Sequence, residues 1–173
     1  MRKLLIGLSA LCLALPAHAA LPVGAKAPDF TTTGAVRGKP FKLSLKQQLR
    51  KGPVVLYFFP KAFTEGCTLE ARAFSEAIGD FRKSGAQVIG MSADDLPTLK
   101  KFSVEACRSA FPVATAAPAT IKAYDVVLKK KPELTDRTSY VIDRRGRIVF
   151  VHSDLNWSEH VQKTLAAVKS LKK

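Results

Sequence analysis

Apolar residues fall into a few distinct patterns along the chain. Val54-Val55-Leu56-Tyr57-Phe58-Phe59 is an unbroken β-branched and aromatic run ended by Pro60, the pattern of a strand buried on both faces. From Cys67 to Lys83 the period changes. Cys67, Ala71, Phe74, Ile78 and Phe81 recur at alternating spacings of four and three, one stripe of an α-helix, and Gly85 suits its C-terminal end. Gln87 to Met91 reads as a second buried strand and Leu96 to Ala110 as a second helix, with Pro112 forcing an exit. Two further apolar runs, Thr138 to Ile142 and Ile148 to Val151, are joined by Asp143-Arg144-Arg145-Gly146, which predicts an antiparallel hairpin. Ser158 is placed to cap a last helix that carries Val161, Leu165, Val168 and Leu171 on one face. Residues 21–50 are rich in Gly, Pro, Thr and Lys and predict a loop or short strands ahead of the first buried strand.

The order strand, helix, strand, helix, hairpin, helix predicts an α/β protein with a central mixed β-sheet flanked by helices on both faces, the layout of a thioredoxin-like fold. No internal repeat or long linker divides it, and 173 residues with 47% hydrophobic content suit one domain with a proper core. The first residues follow another logic. Arg2 and Lys3 precede an apolar run from Leu4 to Leu15, and Pro16-Ala17-His18-Ala19 offers the small-x-small pattern cut by signal peptidase. The run is too short for a bilayer that needs roughly 20 apolar residues. Residues 1–19 are therefore expected to be a signal peptide and residues 20–173 the mature domain, exported to the periplasm without a stable membrane anchor. Cys12 lies inside the apolar run and leaves with the peptide.

The formal net charge is +14, and it stays strongly positive without Arg2 and Lys3. Such a balance first suggests nucleic acid. The basic residues are scattered, however, only Lys129-Lys130-Lys131 and Arg144-Arg145 cluster, and no nucleic-acid motif accompanies them. Solubility, or loose attraction to anionic surfaces or acidic partners, fits better, and no nucleic-acid partner is expected. His152 and His160 have no metal-ligand spacing and are expected at a surface or interface, so neither a metal nor another cofactor is implied.

Chemistry then rests on Cys67 and Cys107. Cys67 opens a helix just after a buried strand, where unpaired backbone N–H groups and the helix dipole favour the thiolate, the nucleophilic form. The same stripe places it on the buried side, so position alone leaves a reactive and an inert cysteine equally open.

The surrounding residues favour the reactive one. Pro60-Lys61-Ala62-Phe63-Thr64-Glu65-Gly66-Cys67 resembles the peroxiredoxin signature Pro, three residues, Thr or Ser, two residues, Cys. The wider run from Tyr57 to Glu70 is similar to the bacterioferritin-comigratory, or PrxQ-like, branch of that alkyl hydroperoxide reductase/thiol-specific antioxidant family. Ala27-Pro28-Asp29-Phe30, Ser92-Ala93-Asp94 and Arg137-Thr138-Ser139-Tyr140-Val141-Ile142-Asp143 extend the resemblance over nearly all of the expected mature chain. The resemblance implies a thiol peroxidase that reduces hydrogen peroxide or small organic hydroperoxides through a sulfenic acid on Cys67. It implies that Thr64 turns its hydroxyl onto the sulfur and the peroxide, that Pro60 walls off water, and that Arg137 arrives from a neighbouring strand to stabilise developing negative charge. Glu70 either supports Arg137 or caps the helix start. The resemblance also implies that a dithiol donor such as a thioredoxin-like protein regenerates the enzyme.

The chain departs from that branch at the resolving cysteine. Relatives place it at the position of Arg72 here, or in the next helix at the position of Ser103. Cys107 lies one helical turn past Ser103 and is either the resolving residue or a small core residue. The competing function is an exported thioredoxin-like redox or copper-handling protein without peroxidase activity. A thiol–disulfide oxidoreductase calls for a second cysteine at position 70, which is Glu, and copper delivery calls for one at position 71, which is Ala.

Overall fold

The computed structural model describes residues 20–171, so the leader expected over residues 1–19 lies outside it. Seven strands form one sheet: β1 Thr31–Val36, β2 Lys39–Ser44, β3 Val54–Phe58, β4 Gln87–Ser92, β5 Val113–Thr115, β6 Thr138–Ile142 and β7 Ile148–Ser153. Their spatial order is β2-β1-β5-β4-β3-β6-β7. β3, β4 and β5 run parallel, while the two flanks pair antiparallel. The helices are α1 Leu45–Lys51, α2 Glu65–Lys83, α3 Leu96–Glu105, α4 Pro118–Ala123 and α5 His160–Ser170. This is the mixed thioredoxin-like sheet that the hydrophobic pattern predicts.

Alternation along β3 builds two cores. Val55 and Tyr57, with Phe59 just beyond the strand, pack beneath α2, α3 and α5 among Phe74, Phe102 and Val168. Val54, Leu56 and Phe58 face the other way, onto Leu45 of α1 and Ile121 and Tyr124 at α4. All five strand residues are fully buried. A strand covered on both faces has no polar side, which is why it reads as a continuous apolar run. Among the described residues no helix is long and apolar enough to cross a membrane.

Four features differ from the sequence reading. The opening segment forms the expected short strands, as the β1–β2 hairpin, but adds α1, which is capped by the Ser44 hydroxyl accepting from the Gln47 amide. Between Pro112 and β6 the chain makes a three-residue strand and a six-residue helix, both too short to leave a periodic signal. α3 stops at Glu105 rather than Ala110. The amides of Ala106 and Cys107 both donate to the Phe102 carbonyl, and Arg108 and Ser109 then take positive φ angles of 48° and 59°. Cys107 therefore sits in a turn after α3 and not on the helix face shared with Ser103. Ser158 does not cap the last helix. It lies in a short 3-10 turn, Trp157–Glu159, where the Asn156 side chain accepts from its amide, and α5 begins at His160.

Candidate active site

Strand register brings the site together. β3 and β6 pair antiparallel with Phe58 opposite Thr138, so Arg137 reaches the sheet where the chain leaves β3 towards α2. The connecting loop is pinned at several points. The Thr135 hydroxyl donates to the Phe59 carbonyl at 2.6 Å. The Asp94 carboxylate, beyond the end of β4, accepts from the Ala62 amide at 2.7 Å and from the Ser92 hydroxyl at 2.8 Å. Phe63 takes a positive φ of 65° and lays its ring edge-on against Phe102, with centroids 5.3 Å apart. Thr64, in extended geometry, ends the loop as the N-cap of α2.

Cys67 is the third residue of α2 and only 1% exposed. Arg137 lies against it and is itself 5% exposed. Its guanidinium divides its donors among three acceptors. Nη2 points at the Cys67 sulfur at 3.4 Å, Nη1 donates to Glu70 Oε2, and Nε donates to the Leu155 carbonyl at 2.8 Å. A planar fork gripped at two corners offers the third to the sulfur with little freedom to swing away. Glu70, one turn along α2 from Cys67, is the buried carboxyl that holds the other end of the fork. Burial pushes its carboxyl up to about 8, against the downward pull of Arg137. Gly66 gives the fork room, since a Cβ there would stand 3.3 Å from Arg137 Nη2 and 3.5 Å from the Trp157 ring. The amides of the first helical turn add their partial positive charge at the same place. Chemically, this is a shielded sulfur facing a fixed cation, suited to attack on a small electrophile that releases negative charge.

The remaining expected site residues are placed as follows. Pro60 is half-buried directly after the β3 run. Thr64 is exposed, and its hydroxyl donates to the Lys61 carbonyl at 2.9 Å rather than to the sulfur. Of the two readings of Glu70, the structure shows the contact with Arg137. Cys107 is fully buried in the same core cluster as Cys67, and both are free thiols. Burial drives the Cys107 thiol far above its ordinary range, so in this conformation it stays protonated. The Tyr57 ring lies in that cluster and its hydroxyl has no hydrogen-bond partner.

His160 corrects the sequence reading. It is fully buried, not at a surface, with Nδ1 2.8 Å from the Ser139 hydroxyl, Nε2 2.9 Å from the Asp154 carbonyl, and Nδ1 3.7 Å from Glu70 Oε1. A signal was present: His160, Thr164 and Val168 recur every fourth residue and are all buried, a second inward row beside Val161. Glu70 likewise falls between Cys67 and Ala71 on the inward stripe of α2. Asp94 gives no periodic signal and enters the sequence only within the resembling run Ser92-Ala93-Asp94, because its task is to hold backbone.

Comparison with known proteins agrees with this geometry. The AhpC/TSA family profile matches residues 23–151. Chloroplastic peroxiredoxin Q of Oryza sativa subsp. japonica is 31% identical over 179 residues, covering 95% of this chain and 81% of the relative. Its counterpart in Populus jackii is 33% identical over 148 residues, covering 84% and 68%. The crystal structure of peroxidoxin BcpB from Mycobacterium tuberculosis superposes with a TM-score of 0.75 at 30% identity, over 87% of this chain and 98% of that one. Neither a disulfide oxidoreductase nor a copper carrier is favoured by these matches. The chain belongs to the AhpC/TSA family as a peroxiredoxin, a thiol-dependent peroxidase.

Proposed function

We propose that Cys67 is the peroxidatic residue, acting on hydrogen peroxide and small alkyl hydroperoxides, with Cys107 as its resolving partner. The observation that carries this reading is the Arg137 guanidinium held between Glu70 and the Cys67 sulfur. The thiolate attacks one peroxide oxygen and the O–O bond breaks. The departing oxygen takes a proton and leaves as water or alcohol, and the sulfur becomes a sulfenic acid. Arg137 stabilises the charge that builds on the departing oxygen. Thr64, the N-cap of α2, turns its hydroxyl from the Lys61 carbonyl to the bound peroxide, and Pro60 keeps bulk water from the sulfur. The closeness of the site, with Cys67 only 1% exposed, favours small peroxides over bulky ones.

Resolution follows when the Cys107 thiolate attacks the sulfenic sulfur and expels its oxygen as water, leaving a disulfide that an external dithiol reduces by exchange. Cys107 has to leave its burial first, because its thiol stays protonated there. Its setting supports such a release: it follows the last turn of α3, and the next two residues hold left-handed geometry without glycine, costing roughly 1–2 kcal/mol each. Opening this turn relieves both. The basic, apolar and small-residue order of the first 19 residues supports export, with a thioredoxin-like donor in the same compartment.

Peptide mapping by mass spectrometry after one equivalent of hydrogen peroxide tests the pairing. A Cys67–Cys107 disulfide within one chain is expected. Over-oxidised Cys67 beside an intact Cys107 thiol removes the resolving role and leaves a one-cysteine peroxidase.

A further inference from the structure

Beside Arg137 lies a second polar cluster of Glu70, Ser139 and His160, whose histidine neither the peroxidase signature nor the family resemblance points to. Glu70 uses Oε2 for Arg137, while its Oε1 is buried without a hydrogen-bond partner. His160 Nδ1, also fully buried, lies 3.7 Å from it. An orphaned carboxylate oxygen in a core is costly, so its neighbour matters.

Hydrogen bonding limits where protons can sit. His160 Nε2 faces the Asp154 carbonyl, which only accepts, so Nε2 carries a proton in every ionisation state. Any further proton on the ring must be on Nδ1. Glu70 Oε2 accepts from Arg137, so a carboxyl proton must be on Oε1. The two seats for an exchangeable proton thus face each other, sealed from water, a few tenths of an ångström beyond hydrogen-bond reach. The Ser139 hydroxyl, 2.8 Å from Nδ1, donates to it when Nδ1 is bare and accepts from it when it is protonated.

We propose that His160 is a positioning residue for peroxide reduction: it shares one proton with Glu70 across this contact and so sets how much of the Arg137 charge reaches Cys67. With the proton in the pair, on either atom, Glu70 and His160 together are neutral and the guanidinium presents its full charge to the sulfur and the peroxide. Without it, the pair is an anion and cancels much of that charge. Burial disfavours the charged form of each partner, lifting Glu70 to about 8 and lowering His160 to about 4, which favours the neutral arrangement near pH 7. The groups around the pair are Arg137 ahead of β6, Cys67 on α2, Tyr57 on β3, His152 on β7 and Asp154 in the loop after it. The His152 ring lies tilted against His160 with centroids 4.5 Å apart, and burial holds its imidazole below the ordinary histidine value, so it serves as the control.

The inference rests on the peroxidase reading, and its test separates the two. Trp157, the only tryptophan, lies beside Gly66 and supplies a fluorescence signal for single-turnover oxidation of the reduced full chain. The second-order rate constant with hydrogen peroxide is followed from pH 5 to 10 for wild type, His160→Asn, Ser139→Ala and His152→Gln. Wild type should lose rate on an alkaline limb as the pair gives up its proton. His160→Asn, which takes away the partner for that proton, should move the limb to lower pH and slow the reaction at neutral pH by up to about tenfold. Ser139→Ala, which leaves the imidazole in place but frees Nδ1 for Glu70, should move the limb to higher pH, and His152→Gln should leave it where it is. In parallel, 15N-histidine spectra of unreacted wild type should show an Nε2–H tautomer for His160 whose Nδ1 shift follows the same limb. A wild-type rate and profile in both His160→Asn and Ser139→Ala overturns the inference. So does a His160 resonance that ignores the limb, a readout that survives if His160→Asn fails to fold. A wild-type protein that does not consume peroxide defeats the peroxidase reading instead, while the spectra still report on the shared proton.

Discussion

Arg137 makes three different bonds with one side chain, and each falls to a different corner of the guanidinium. A lysine has a single rotatable ammonium and cannot hold Glu70, the Leu155 carbonyl and the sulfur at once. Arg137→Ala is therefore expected to slow single-turnover peroxide attack by about 10²-fold or more, roughly 3 kcal/mol of transition-state stabilisation. Stopped-flow rates on the folded variant check this, and an unchanged rate would make Arg137 a purely structural ion-pair partner. The variant also leaves Glu70 buried without its cation, so some loss of stability accompanies the loss of rate. At this scale the meeting of Arg137 with Cys67 was legible only through the family resemblance, whereas the Thr64 hydroxyl turns to the Lys61 carbonyl and not to the sulfur. His160 was missed because the inward row it forms with Thr164 and Val168 carries two polar residues and so lacks the apolar signature of a buried face. The true start of α5 lies two residues after the serine that the capping rule selects.

Elements position these residues, and their fit is tight. Tyr57 on β3 stands opposite Gly90 on β4, and its ring stacks on Phe74 of α2 with centroids 4.4 Å apart. A Cβ at position 90 would stand 2.8 Å from the Tyr57 ring carbon Cζ and hydroxyl. Gly90→Ala must push that ring into α2, and overpacking of this kind costs about 1–3 kcal/mol. A lower urea midpoint with an unchanged slope is the expected result, and a stability equal to wild type would show that the ring has room to move. β3, α2 and the β6–β7 hairpin could be read from the sequence because each has one strong period, or a turn with Gly146 at a positive φ of 80°. The β1–β2 hairpin could not be assigned in detail, since it is a sheet edge with Gly34, Lys39 and Lys42 interrupting any alternation. The early end of α3 was illegible for a different reason: no glycine or proline marks it, and two ordinary residues take up left-handed geometry.

For the whole molecule, the buried Glu70–His160 pair predicts how stability changes with pH. Glutamate and histidine ordinarily titrate at 4.5 and 6.5, and in the folded chain burial moves these to about 8 and about 4. Between pH 4.5 and 6.5 the folded state holds an extra proton on Glu70 while the unfolded state takes one on His160, so the two contributions cancel. From 6.5 to 8 only the Glu70 proton counts. The folded state still binds it and the unfolded state does not, so stability falls as pH rises, by about 2 kcal/mol from this source. Urea unfolding of wild type and Glu70→Gln from pH 5 to 8.5 checks the sign: the decline above 6.5 should vanish in the variant, and its persistence would place it elsewhere. The fold, the Arg137 fork and the family all converge on one sulfur, so the most direct test acts there. Peroxide consumption with an excess of dithiol is measured for wild type and for Cys67→Ser, with folding of both checked by circular dichroism. The account predicts a folded Cys67→Ser protein with no peroxide reduction above the uncatalysed background. A folded variant that keeps a substantial share of the wild-type second-order rate would contradict it.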